Sequence, residues 1–445
     1  MQDHTQSLID RAASLVEAAQ RAGADAADAV VVRSRSKSVS VRLGKVEGTD
    51  ASESDDFSLR VFVGSKVASV SANVTGDVDS LAERAVAMAR VSPEDTFNTL
   101  AREDLLASEF PDLDLYDDTE VPAERMTEDA LAMEEAARAV PGVTNSSGAG
   151  VSAGSGGLVL VTSHGFSGAY RRSRFSRSVS VIAGEGTGME RDYDFSSKLF
   201  FADLRDPAEI GREAGERTAR RVNPRKMDTQ TVTAVFDPRV ARGMLGHLAG
   251  AINGSAVARK TSFLRDRMGQ QVANAAITVI DEPARMRGQA SRPFDGEGVQ
   301  GPTLTMVGEG VLNHWFLSTS IANELELETN GRGARSGTSV SASSTNLSIE
   351  PGDRTPEELM KAIGTGFYVT EVFGQGVNMV TGEYSRGASG FWIENGEIAF
   401  PVSEVTIASN LKDMFMRMIP ANDLDRDFGT AAPTLVIEGM TLAGQ

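Results

Sequence analysis

Four histidines, no cysteine and two carboxylates in a glycine-rich loop are the chain's main resources for chemistry. The histidines are His4, His164, His247 and His314. None has a second imidazole one helical turn away, so the spacing that sets two zinc ligands on one helix face is absent. Without cysteine there can be no disulfide, thiol nucleophile, iron–sulfur cluster or thiolate zinc site. His247 lies in Pro238–Ala251, a segment that Asp237-Pro238 opens as a helix. Alone there it reads as a packing or hydrogen-bonding residue, because a catalytic zinc needs about three protein ligands. Asp295 and Glu297, in Arg292-Pro293-Phe294-Asp295-Gly296-Glu297-Gly298, could act as paired carboxylates in acid–base work. The favoured reading is that they accept backbone N–H groups and fix a turn.

Gly150-Val151-Ser152-Ala153-Gly154 spells G-x-S-x-G, which presents a nucleophilic serine between a strand and a helix. Here Gly156-Gly157 and the strand-like Leu158–Val161 follow, so the segment reads as a flexible glycine–serine loop. Gly148-Ala149-Gly150 fails as a dinucleotide fingerprint for the same reason. Arg171, Arg172, Arg174 and Arg177 would divide between the two faces of a strand and read as solvated, with acidic neighbours as partners. The chain has 62 acidic against 44 basic residues and a net charge of −18, which opposes direct binding to nucleic acid or an anionic membrane. Met1-Gln2-Asp3-His4 lacks the basic, apolar start of a signal peptide, and no apolar run approaches a membrane span. A cytoplasmic protein is expected.

These residues need elements to hold them. Leu8, Ile9, Ala12, Leu15, Val16 and Ala19 share a helical face, closed by Gly23. Strand-like runs follow at 29–32, 38–43, 58–63 and 66–71, then a helix at 78–90 capped by Asp77. The order recurs with strands at 158–161, 168–180 and 198–202 and a helix at 207–221 entered through Asp206-Pro207. A further helix is expected around 128–139. The expectation is an α+β fold: an N-terminal α/β domain, 1–225, of two sheet-plus-helix units (about 1–115 and 116–225), and a β-rich C-terminal domain, 226–445, carrying the His247 helix. Asn395-Gly396 predicts a two-residue hairpin turn, and Pro356 starts a short packing helix.

Longer matches add to this reading. Gly246-His247-Leu248-Ala249-Gly250-Ala251-Ile252-Asn253-Gly254, Arg259–Leu264, Pro293–Val299, Asn346–Gly352 and Val377–Ala388 resemble the TldD/PmbA family, often labelled modulators of DNA gyrase, and especially its PmbA (TldE) branch. In the zinc-bearing TldD branch the corresponding helix carries H-E-x-x-x-H, and a cysteine near the C-terminus adds a ligand. Aligned on Met244-Leu245, the histidine positions hold Gly246 and Ala251, and the glutamate position holds His247. The resemblance implies a chain with no metal or other cofactor of its own, paired with a TldD-like subunit that carries zinc. Together they would hydrolyse flexible or unfolded peptides such as peptide-antibiotic precursors and antitoxins, with Asp295 and Glu297 either lining a substrate channel or holding a loop. The alternative is a non-enzymatic peptide-binding or scaffold protein, alone or as a homodimer.

Overall fold

The computed structural model describes residues 2–73 and 77–444, with the side chains of 2–4, and so of His4, outside the described set. The N-terminal half runs α1 (Gln2–Arg21), β1 (Ala26–Arg42), β2 (Lys45–Val63), β3 (Lys66–Asn73), α2 (Val78–Val91), α3 (Ala123–Arg138), β4 (Val143–Thr162), β5 (Ser167–Ala183), β6 (Glu190–Lys198) and α4 (Pro207–Arg220). Its six strands form one antiparallel sheet in the order β3-β2-β1-β4-β5-β6. Two helix–three-strand–helix units therefore meet along β1 and β4.

Side-chain alternation explains the layers. Ala27, Ala29 and Val31 at one end of β1 and Val39 and Val41 at the other point to the same face. The first set packs under α1 and α2, the second under α3 and α4. Between the helix pairs the face stays open as a groove of about 830 Å³. Arg33, Arg35 and Lys37 line it, and Ala153, Ser155 and Gly157 of β4 lie opposite them in register. The glycine–serine run is thus no loop. It is the centre of β4, paired on both sides with β1 and β5. Ladder bonds to both neighbours hold it extended despite its low strand propensity.

Other expectations shift for similar reasons. Runs 29–32 and 38–43 belong to the single strand β1, apart from Leu43 in the turn that follows it. The third strand of the second unit is Glu190–Lys198 rather than 198–202, where Phe201–Asp203 is a 3-10 turn. Helix α3 begins at Ala123, ahead of the expected 128. The caps stand: Asp77 accepts from Ser80 N, and Asp206 from Ala208 N and Glu209 N.

Helices α3 and α4 approach closely at Gly211, where an added Cβ would lie 2.1 Å from the Met133 carbonyl oxygen. That neighbour is backbone and cannot rotate away. Gly211→Ala is therefore expected to cost about 1–3 kcal/mol, read as a lowered urea midpoint.

The C-terminal half opens with β7 (Gln230–Phe236) and α5 (Pro238–Ala251). Strand β7 pairs in parallel with Gly366–Phe373 and antiparallel with Leu435–Ala443. The sheet continues through Glu383–Glu394 to Glu397–Asn410, which pairs back onto Leu435–Ala443 and closes the strands into a barrel. Asn395 and Gly396 take positive φ in the expected hairpin, and Thr355 with Glu358 forms a capping box on the helix Pro356–Ile363. A second sheet of short strands lies beside the barrel. The fold is α+β with a β-rich C-terminal half, and among the described residues no helix is long and apolar enough to cross a membrane.

Candidate functional site

Helix α5 is entered through Asp237, whose carboxylate accepts from Arg239 N at 2.9 Å and from the Tyr368 hydroxyl at 3.0 Å. Val240, Ala241, Met244, Leu245, Leu248 and Ala251 face the core. The other face carries Gly243, Gly246 and Gly250, all exposed. A Cβ at Gly243 or Gly246 would meet nothing within 4 Å, and one at Gly250 only Met379 Cε at 3.5 Å. The backbone of this helix is bare to whatever lies against it.

His247 stands at the edge of the bare face, half-buried, with its ring centroid 6.0 Å from that of Tyr384 and the planes at 75°. Burial, and then the positive charge of Arg386, lower its pKa, so the imidazole is neutral at neutral pH. Tyr384 is 1% exposed, and its hydroxyl has no hydrogen-bond partner among the described residues. Burial raises its pKa. Tyr384 and Arg386 belong to the stretch Val377–Ala388 that carried the family resemblance, yet nothing in their spacing indicates that they meet His247.

The donors here do not fit a metal ion. Gly246 has no side chain, Ala251 is a fully buried methyl, and the chain has no thiolate. Among the described residues no three His, Cys, Asp or Glu side chains converge as a metal-holding group. Ser152 is equally unsuited to act as a nucleophile: its hydroxyl meets Ser176 Oγ at 2.8 Å, with no imidazole or carboxylate among the described residues bonded to it.

Asp295 and Glu297 lie elsewhere, in the seam between the N-terminal sheet and the loops of the C-terminal half. They are 2% and 4% exposed. Asp295 accepts from the backbone N–H groups of Glu297, Val299 and Gly333 at 2.8, 3.0 and 2.7 Å. Glu297 accepts from Thr319 N at 2.7 Å. Desolvation raises both carboxyls; the charge of Asp295 adds to the effect on Glu297, Arg60 opposes it, and Glu297 is pushed up to about 7. Next to them Arg60 Nε and Nη2 bond Asp28 Oδ2 at 3.0 and 2.5 Å. Arg335 Nη2 lies 2.7 Å from the same oxygen as an ion pair without hydrogen-bond alignment. Burial raises the Asp28 pKa, but Arg335 and Arg60 outweigh it and hold the carboxylate ionised. Asp28, Arg60 and Arg335 had no signal in the sequence, because their partners come from distant segments.

The arginine cluster of β5 divides between faces as its alternation requires. Arg171 stacks on Tyr116 at 3.7 Å and Arg177 bonds buried Asp129, while Arg172 reaches the Gln289 carbonyl and Arg174 the Ser197 hydroxyl. Arg177 is only 4% exposed, so solvation does not describe it.

Family models of the PmbA/TldA metallopeptidases match this chain in three consecutive parts: domain 1 at 27–89, the central domain at 116–222 and the C-terminal domain at 229–444. The chain belongs to the PmbA/TldA metallopeptidase family. It is 35% identical over 442 residues to the metalloprotease PmbA of Escherichia coli O157:H7, covering 98% of this chain and 96% of that one. A metalloprotease PmbA homolog of Haemophilus influenzae is 35% identical over 446 residues, 99% and 96% of the two chains. The fold matches the crystal structure of a putative modulator of DNA gyrase from Bacteroides thetaiotaomicron with a TM-score of 0.90, at 27% identity and 98% coverage of both chains. The family name implies a metal, and α5 of this member lacks the donors to hold one.

Proposed function

We propose that this chain is the metal-free, PmbA-type (TldE-type) subunit of a two-chain metallopeptidase. A TldD-like partner holds zinc, and the two chains enclose a flexible peptide between them. The observation that carries the reading is α5, which keeps the family's helix in place but presents Gly246, His247 and Ala251 where the zinc-bearing branch has two ligands and a glutamate. Loss of all three roles with retention of the helix is what a supporting wall requires. The bare glycine face lets another polypeptide approach the helix backbone without displacing side chains.

Purified alone, the chain is expected to hold less than about 0.1 zinc per molecule, since a site needs about three protein ligands. Co-expressed with a TldD-like chain, it should elute as a mixed complex holding about one zinc per pair. Elemental analysis and size measurement on both preparations test this. One tightly held zinc in the isolated chain, or failure to associate with the partner, overturns the reading.

A further inference from the structure

In the N-terminal sheet, β3 pairs with β2 only from Asp56 to Val63. From Lys45 to Asp55, β2 has β1 on one side and, among the described residues, no strand on the other. That leaves an open edge about 35 Å long at ~3.3 Å per residue. Leu43 and Val46 at its start are 48% and 51% exposed. The segment is nonetheless held firmly. Leu43 and Gly44 form a tight turn with positive φ, and the buried Glu134 carboxylate accepts both of their N–H groups at 2.8 and 2.7 Å. An unpaired edge on an anchored hairpin is a ready template for another strand.

The molecule supplies its own comparison. In the second unit the matching part of β5, Ser167–Arg174, likewise extends beyond the reach of β6, which begins pairing at Phe175. There an extended piece of the same chain bonds the edge at Ser173: Ser173 N donates to Leu115 O at 3.0 Å, and Asp117 N donates to Ser173 Oγ at 2.9 Å. Among the described residues the first unit has the same edge without such a bond.

Charge selects what fits. Arg33 and Arg35 neutralise Asp55 and Glu53 across the β1–β2 ladder. Glu47 and Asp50 have no bonded partner among the described residues. A second copy pairing antiparallel along the whole segment would set Asp50 against Asp50 and Glu47 against Glu53, which is unfavourable. A strand with lysine or arginine opposite Glu47 and Asp50 is favoured. We infer that the open edge of β2, Lys45–Asp55, is the docking site of the zinc-bearing partner chain, which adds a basic edge strand of its own to the N-terminal sheet. This rests on the two-chain reading above.

The test is amide hydrogen exchange on the full-length chain, alone and co-expressed with a TldD-like chain, together with the double variant Glu47→Lys, Asp50→Lys. In the mixed complex the Lys45–Asp55 amides that do not bond β1 are expected to slow by about tenfold or more. The double variant should weaken association about tenfold, leave the melting temperature of the isolated chain unchanged, and lose its effect as salt is raised. A complex that forms with unchanged exchange in Lys45–Asp55 refutes the edge assignment and leaves the two-chain reading intact. Protection in the isolated chain at high concentration assigns the edge to a second copy and also overturns it. No complex at all defeats the two-chain reading and the docking site with it.

Discussion

Cleavage of a flexible peptide by the mixed complex is expected to fall to background when the partner's motif glutamate is replaced, while His247→Ala leaves the rate within about threefold of wild type. Removing a positioned general base costs about 10²–10⁴ in rate, so the two outcomes are far apart. His247 competes for the base role only by position. Its imidazole is neutral at neutral pH, which a base requires, but it stands edge-on to the Tyr384 ring, and no carboxylate among the described residues bonds it. Its substitution removes a ring contact and leaves the bare glycine face of α5 as it was. The comparison needs one peptide and three assemblies: wild type, the partner glutamate variant and His247→Ala, each checked for zinc content and complex formation. If His247→Ala loses activity as fully as the partner variant in an intact, zinc-loaded complex, this chain has a catalytic role and the supporting-wall reading is wrong.

What the sequence disclosed follows from the range of the interactions involved. Helix α5 and its cap at Asp237 were legible because capping is local. The Asn395-Gly396 hairpin and the Thr355 helix start were legible for the same reason. The β4 glycine–serine run was misread because its conformation comes from β1 and β5, far away in sequence, and its own propensities favour a loop. The encounter of His247 with Tyr384 joins α5 to the strand Glu383–Glu394, far apart in sequence. The seam around Asp28, Arg60 and Arg335 requires the two halves to pack, so no window of sequence contains it. Asp295 and Glu297 lie between these cases. Their backbone-accepting geometry matches the local expectation for a glycine-rich loop, whereas their burial arises from tertiary packing.

That burial predicts a pH dependence centred on the Asp295–Glu297 pair. Glu297 is pushed up to about 7 from an ordinary value of 4.5, with desolvation the first cause and the Asp295 charge the second. Asp295, Arg60, Arg292, Arg332, Asp28 and Arg335 are charged groups of this seam, and the Thr319 and Gly333 amides donate into it. A carboxyl with a raised folded-state pKa keeps its proton after the unfolded chain has released it. Its stabilising contribution is therefore complete below about pH 4.5 and is lost as pH rises toward 7. At 1.36 kcal/mol per pH unit, the loss over this window amounts to about 3 kcal/mol. Asp295 is shifted in the same direction, so the two titrate as a pair and the change spreads across both. Glu297→Gln keeps an oxygen for Thr319 N but removes the titration. Urea midpoints measured from pH 5 to pH 8 should fall less steeply for the variant than for wild type, with Asp295 carrying the remainder of the slope. Parallel curves would show that Glu297 is ionised throughout and that Arg60 and the loop amides, rather than a retained proton, offset its burial.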